Sequence, residues 1–411
     1  MKVGRCWLWW VALGITGACL SAEVRTFDLR EDHAAYTPER GHGIDLGTTP
    51  TGGGPYFFSV GIAEGNWRVT VTLGDETRAG DTTIKAESRR LMLEQVRTRP
   101  GETVDRSFIV NVRTPQLEPP PPNAPGGTEV RLNDREQGVL HWDEKLTLEI
   151  NGAAPAVRRI RIEPAPEVVT VFLAGDSTVT DQPYEPGASW GQMLPRFFQP
   201  TVAVANHAES GETLKSFLTG LRLDKLMGAL KPGDYVFLQF GHNDSKAQWP
   251  QTYVEAGTTY DAYLRVYVAE VRRRGGHPVL VTSVHRRSFD PEGRVRNTHG
   301  AYLEAVRAMA ALENVPIVDL AEASAILYEA LGPATAPQAF SNGGRDATHH
   351  NNYGAYQLAR CVVQGIRQAH LPLANHLAPE VEPFDPARPD PVEDFVLAPS
   401  PQRTTLAPRG D

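Results

Sequence analysis

The stretch VTVFLAGDSTVTDQ, residues 169–182, decides the fold. Its first six residues are apolar save one threonine and show no polar alternation, as expected of a strand covered on both faces. Gly175, Asp176 and Ser177 then close the strand in a tight turn. In an open parallel sheet, ligands sit beyond the carboxyl ends of the strands. The stretch therefore leaves a hydroxyl where such a sheet carries its site.

Outward from the first strand, 168–174, further apolar runs at 201–205, 234–240, 278–284 and 315–319 alternate with helical patterns near 189–198, 214–229, 259–274, 299–313, 321–331 and 353–369. That alternation predicts a three-layer α/β/α domain on a parallel sheet over 166–371. Upstream the rhythm is of period two. NWRVTVTL (66–73) puts Trp67, Val69, Val71 and Leu73 on one face, and SFIVNVR (107–113) does the same with Phe108, Val110 and Val112. With YFFSVGI, DTTIKAE, LMLEQVR, LTLEING and RRIRIEP, separated by Gly, Asp and Pro, these predict a β-sandwich of jelly-roll type over 23–165. PQLEPPPPNAPGG (115–127) reads as a surface loop within it, because proline donates nothing to a ladder. Residues 372–411 are Pro-rich and read as a poorly ordered tail.

The 411 residues carry a formal charge of −8 and no long basic run, which argues against nucleic acid as a partner. Residues 1–22, MKVGRCWLWWVALGITGACLSA, have the basic start, apolar run and small residues of an export signal, so a secreted or periplasmic protein is expected. Thr16 to Cys19 loosely match a lipoprotein box, with Thr16 where a larger aliphatic residue belongs. No later apolar run is long enough to span a bilayer. Cys6 and Cys19 fall in the leader; cleavage beyond Cys19 leaves Cys361 alone, without a disulfide.

A serine nucleophile needs a base and a group to orient that base. GRDATHHNNYGAYQLA supplies Asp346 and His349 three residues apart, just before the closing helix, with His350 expected to point elsewhere. Developing negative charge on a carbonyl oxygen needs donors. Gly211, in ANHAESGETLKSF after the second strand, can bring its N–H close to a ligand; Asn243, in FLQFGHND after the third, can donate from its amide. All four segments fall at one sheet edge.

The order GDS, Gly, GHND and DxxH resembles the SGNH, or GDSL-type, hydrolase superfamily, and LAGDSTVTDQ, WGQMLPRFF, QFGHND and DATHHNNYGA resemble its rhamnogalacturonan acetylesterase branch. The resemblance spans roughly 168–370. It implies a flavodoxin-like sheet, Ser177 as nucleophile, Asp346 and His349 completing the triad, and the N–H groups of Ser177 and Gly211 with Asn243 as oxyanion hole. It further implies an acetylated, pectic polysaccharide as substrate, with neither cofactor nor metal. The β-rich part is similar to accessory domains joined to such esterases. Acetylated xylan and lipid esters are alternative substrates. A metal-dependent hydrolase could in principle draw on Asp176, His207, His242, Asp244, His349 and His350, but their spacing matches no recognised motif. An inactive glycan-binding protein is the remaining alternative, with Tyr56, Phe58 or Trp67 stacking on sugars, although Trp67 suits a core position better; Trp190 and Trp249 are candidates for a sugar groove.

Overall fold

A computed structural model describes residues 23–50, 54–117 and 126–406. The leader with Cys6 and Cys19, most of the proline-rich loop and the last five residues lie outside the described residues. Among the described residues no helix is long and apolar enough to cross a membrane.

The described residues of the N-terminal region form nine strands: β1 (Arg25–Asp28), β2 (His42–Asp45), β3 (Tyr56–Gly61), β4 (Gly65–Leu73), β5 (Gly80–Ala86), β6 (Arg90–Thr98), β7 (Val104–Val112), β8 (Lys145–Ala154) and β9 (Val157–Pro164). They make two antiparallel sheets, ordered β1-β9-β4-β7 and β2-β3-β8-β5-β6. Alternation on β4 works as read: Trp67, Val69, Val71 and Leu73 are buried, with Arg68, Thr70 and Thr72 half-exposed. They share one core with Phe58, Val60, Leu148 and Ile150 of the other sheet. Each such aliphatic side chain contributes roughly 1.5–3 kcal/mol on burial. Tyr56, Phe58 and Trp67 all belong to this core. They are therefore not sugar platforms, which corrects the stacking role considered for them.

The third sheet is parallel, in the order β11-β10-β12-β13-β14, from β10 (Val169–Gly175), β11 (Val202–Asn206), β12 (Tyr235–Gln239), β13 (His277–Val281) and β14 (Ile317–Val318). Its faces are built by residue parity. Val171, Leu173 and Phe237 pack on one side against α1 (Trp190–Met193), α6 (Leu320–Thr335) and α7 (Asn352–Gln368). Phe172, Ala174, Val236 and Leu238 pack on the other against α2 (Leu214–Thr219), α3 (Arg222–Ala229), α4 (Thr259–Arg273) and α5 (Tyr302–Glu313). This is why the strands read as continuous apolar runs. The chain leaves β10 for β11 on one side and then returns to β12 on the other, so the switch point lies at the ends of β10 and β12.

Three expectations need correction. The single helix expected over 214–229 is broken into α2 and α3 at Gly220 and Leu221, where Leu221 has φ of 63°. The helix expected near 189–198 is only four α-helical residues before a 3-10 turn that begins at Leu194 and Pro195. The tail beyond 372 is irregular as read, but it is not loose. Leu373, Leu377 and Phe384 join the core, and Glu185 exchanges backbone hydrogen bonds with Gln402 and Thr404. Ser400 is buried against the Lys85–Glu149 pair. Composition signals the absence of helix and strand, and it says nothing about docking.

The β-rich region is joined to the α/β region through side chains. Ile109, on the outer face of β7, packs with Ala165, Val168 and Ala203. Arg89, in the turn between β5 and β6, and Arg90, the first residue of β6, are both buried and reach residues 181–187.

Candidate active site

Asp176 begins the turn that presents the serine. Its carboxylate accepts from the Thr178 N–H at 3.0 Å and hydroxyl at 2.8 Å, and its carbonyl accepts from the N–H groups of Val179 and Thr180. Gly175 is required by close approach: a Cβ there would lie 2.8 Å from the Gln239 carbonyl oxygen and 2.7 Å from Val179. Gln182 donates to the Ser177 carbonyl at 2.9 Å, and Gln239, itself held by the Trp190 indole, donates to Thr178. Trp190 is fully buried and serves this packing, which removes it from any sugar groove.

His349 Nε2 lies 2.8 Å from Ser177 Oγ, and its Nδ1 lies 2.9 Å from Asp346 Oδ2. The other Asp346 oxygen accepts from the N–H groups of Thr348 and His349 at 2.7 and 2.9 Å. The D-x-x-H spacing thus folds as a turn capped by its own aspartate, which aims carboxylate and imidazole at each other. Burial raises the Asp346 pKa, but the hydrogen bond and charge of His349 and the two N–H groups outweigh it and hold the carboxyl at about 2. An ionised Asp346 keeps the proton on Nδ1, so Nε2 is left to accept from the serine hydroxyl. His350 faces away: it meets the Tyr328 hydroxyl at 2.6 Å, its ring lies tilted against Phe340 with centroids 4.5 Å apart, and burial lowers its pKa to about 3.

Gly211 occupies the turn between β11 and α2 with φ of +83°, a left-handed conformation that favours glycine. Asn243, buried after β12, donates from Nδ2 to the Glu212 carbonyl at 3.1 Å and accepts at Oδ1 from Lys246 Nζ at 3.1 Å. Lys246 thereby fixes which end of the amide is the donor. The Gly211 and Asn243 segments are drawn together again by Asp244, which accepts from the Leu214 and Gly241 N–H groups at 2.9 Å each. Burial, only partly opposed by the Leu214 N–H, pushes the Asp244 carboxyl up to about 7. Glu209 N–H bonds to the Gly175 carbonyl and His242 to Asp176, tying both loops to the serine turn.

The residues weighed as metal ligands have other duties. Asp176 pairs with His242, Asp244 bridges loops, His349 lies between Asp346 and Ser177, His350 bonds Tyr328, and His207 packs between Phe172 and Trp142. A different set, Glu136, His141 and Glu209, converges with donor atoms within 4.8 Å of one another. Glu136 is clasped by the Arg222 guanidinium and by the Trp142 indole, all buried. Burial, then the Glu136 charge, pushes the Glu209 carboxyl up to about 7.

The sequence did not single out Lys246 or the pair of Arg90 with Asp181, at 2.5 Å and fully buried. Asp181 also accepts from Asn206, so this pair braces the loop that follows Ser177. No motif marks Arg90, because it comes from the β-rich region 87 residues earlier than Ser177.

Residues 173–357, which contain all five candidate residues, match the GDSL-like lipase/acylhydrolase family. The rhamnogalacturonan acetylesterase RhgT of Bacillus subtilis (strain 168) is 40% identical over 222 residues, covering 51% of this chain and 94% of that protein. A probable rhamnogalacturonan acetylesterase of the same organism, YesY, is 36% identical over 215 residues, covering 51% and 98%. The crystal structure of YxiM from Bacillus subtilis shares the fold, with a TM-score of 0.50 and 22% identity over 85% of this chain and 99% of that one. With the serine turn, the D-x-x-H turn and a long match at 40% identity in agreement, the chain belongs to the GDSL-like lipase/acylhydrolase family and is a carboxylic ester hydrolase.

Proposed function

We propose that this esterase removes acetyl groups from rhamnogalacturonan, with Ser177, His349 and Asp346 as its triad. The observation that carries the mechanism is the continuous path from Asp346 through His349 to Ser177 Oγ, with hydrogen-bond distances of 2.9 and 2.8 Å. The substrate rests on the two Bacillus subtilis relatives named for that polymer. His349 takes the hydroxyl proton as Ser177 attacks the acetyl carbonyl. Negative charge on the carbonyl oxygen is received by the N–H groups of Ser177 and Gly211 and by the second Nδ2 hydrogen of Asn243. The tetrahedral intermediate collapses, the sugar hydroxyl leaves with the proton from His349, and water repeats the sequence on the acetyl-serine. The leader-like residues 1–22 support a place outside the cytoplasm.

Acetate release from acetylated rhamnogalacturonan and from acetylated xylan, assayed side by side, tests the substrate. Faster release from the pectic polymer supports the proposal. Release from xylan alone refutes the substrate and leaves the esterase chemistry intact.

A further inference from the structure

The turn between β5 and β6 bends through two residues in the left-handed region, Glu87 with φ of 54° and Arg89 with φ of 65°. Neither is glycine, the residue that adopts this backbone without steric cost. Backbone held in so sparse a region points to a function for the side chain it presents. Arg89 is only 2% exposed, and a guanidinium so deep must be paired or hydrogen-bonded.

Its partners lie on two sides. On the serine side, Nη1 donates to the carbonyls of Gln182 at 3.0 Å and Gly187 at 2.8 Å. Gln182 is the residue whose side-chain amide donates to the Ser177 carbonyl at 2.9 Å; its Oε1 accepts from Arg135 Nη2 at 3.2 Å, which fixes the direction of the amide. On the histidine side, Nη2 donates to Asn352 Oδ1 at 3.0 Å. Asn352 opens α7, three residues after His349. Glu185 completes the bridge: its Oε1 lies 3.3 Å from Arg89 Nη2 and accepts from Asn352 Nδ2 at 3.0 Å. The planar fork of a guanidinium serves both sides at once because its donors are fixed relative to one another, and the single nitrogen of a lysine cannot reproduce that span. Ser177 and His349 are 172 residues apart in the chain, so their contact depends on how the two segments are held together.

We propose that Arg89 is a positioning residue for the reaction: one buried guanidinium from the β-rich region holds the loop behind Ser177 in register with the start of α7, and so sets the distance from Ser177 Oγ to His349 Nε2. None of its contacts is a reacting atom; it acts through Gln182 and Asn352. The proposal rests on the triad proposed above and extends it, since it makes the β-rich region part of the catalytic framework.

The test is steady-state turnover of a small aryl acetate by the full chain and by Arg89→Lys, Asn352→Ala and the double variant, each checked for folding by its thermal melt. Arg89→Lys keeps a cation beside Glu185 and loses the fork. Asn352→Ala, at a half-exposed position, removes the histidine-side end of the bridge. Misplaced reacting groups lose rate steeply, so kcat is expected to fall about 10–100-fold in Arg89→Lys and about tenfold in Asn352→Ala, with KM nearly unchanged. The double variant is expected to fall no further than Arg89→Lys alone, because the two changes break one bridge. Labelling of Ser177 by an aryl sulfonyl fluoride is expected to slow in parallel with kcat. A merely structural arginine would lower the melting midpoint and leave kcat and the labelling rate of the folded enzyme unchanged, and that result overturns the proposal. So does a fall confined to KM, or single effects that multiply in the double variant. Should Arg89→Lys not fold, Asn352→Ala decides alone: a lowered kcat upholds the bridge and an unchanged one overturns it. Ser177→Ala, run alongside, keeps the two claims apart. If it still turns over, the triad fails and takes the proposal with it; if it is inactive while Arg89→Lys is unimpaired, only the role of Arg89 fails.

Discussion

Asn243 gives one amide hydrogen to the Glu212 carbonyl and takes one at Oδ1 from Lys246, so the direction of its second Nδ2 hydrogen is fixed. A donor held in place before charge develops costs no reorganisation in the transition state. Replacing Asn243 by Ala is expected to lower kcat on a small aryl acetate about 10²–10³-fold, roughly 2.7–4 kcal/mol, with KM nearly unchanged. Steady-state kinetics check it, and a fall of less than tenfold contradicts the role. The pairing of Asp346 with His349 was legible because a D-x-x-H turn is local and its geometry follows from spacing, whereas the contact of His349 with Ser177 spans 172 residues and was expected only because both segments fall at one sheet edge. Lys246 was not, because a lysine three residues after an asparagine has many conformations and only the fold selects one. Asp176 and His242 illustrate the same limit: they attracted attention as metal ligands, and their observed contact spans 66 residues.

At the scale of elements, two buried groups make opposite demands. Glu209 ionises near 4.5 when solvated, and burial with the Glu136 charge moves it to about 7 in the fold. Between those values the folded chain holds a proton the unfolded chain has lost, so this group makes stability fall as pH rises through about 4.5 to 7. Glu209→Gln removes the titration. Its thermal midpoint relative to the unsubstituted protein is expected to be higher at pH 8 than at pH 5, and an offset that does not change with pH contradicts the shift. Arg90 and Asp181 form a pair with no exposure at all. Arg90→Met leaves the Asp181 carboxylate buried without its cation and is expected to cost about 3–5 kcal/mol in a urea titration. A cost below about 1 kcal/mol places the pair among weak surface-type contacts instead. The strands and most helices were legible from periodicity. The break at Gly220 and Leu221 was not, since the apolar spacing continues across it and a single left-handed residue leaves no trace in the pattern.

For the whole molecule, the described sheets and the C-terminal segment meet at shared buried groups. Lys85 of β5 donates to Glu149 of β8, to the Ala398 carbonyl and to the Ser400 hydroxyl, which in turn donates to Glu149. A chain ending after Asp394 loses two of the three acceptors of a buried ammonium. It is expected to be less stable by about 2–4 kcal/mol in chemical denaturation, because hydrogen bonds to charged groups carry about 1.5–3 kcal/mol each and water regains part of the loss. Unchanged stability contradicts the docking of this segment. That a proline-rich stretch contributes to the core could not be read from its composition, since the partners of Ser400 lie about 250 and 315 residues earlier in the chain.

The proposed mechanism depends most on Ser177 being the group that is acylated. Turnover of a small aryl acetate by the full chain and by Ser177→Ala, each verified as folded by its thermal melt, tests this without reference to the polymer. A fall in kcat/KM of at least about 10⁴-fold in the variant is the expected result. Activity in Ser177→Ala within tenfold of the unsubstituted protein would contradict it, and the turn around Ser177 would then be a scaffold for some other nucleophile.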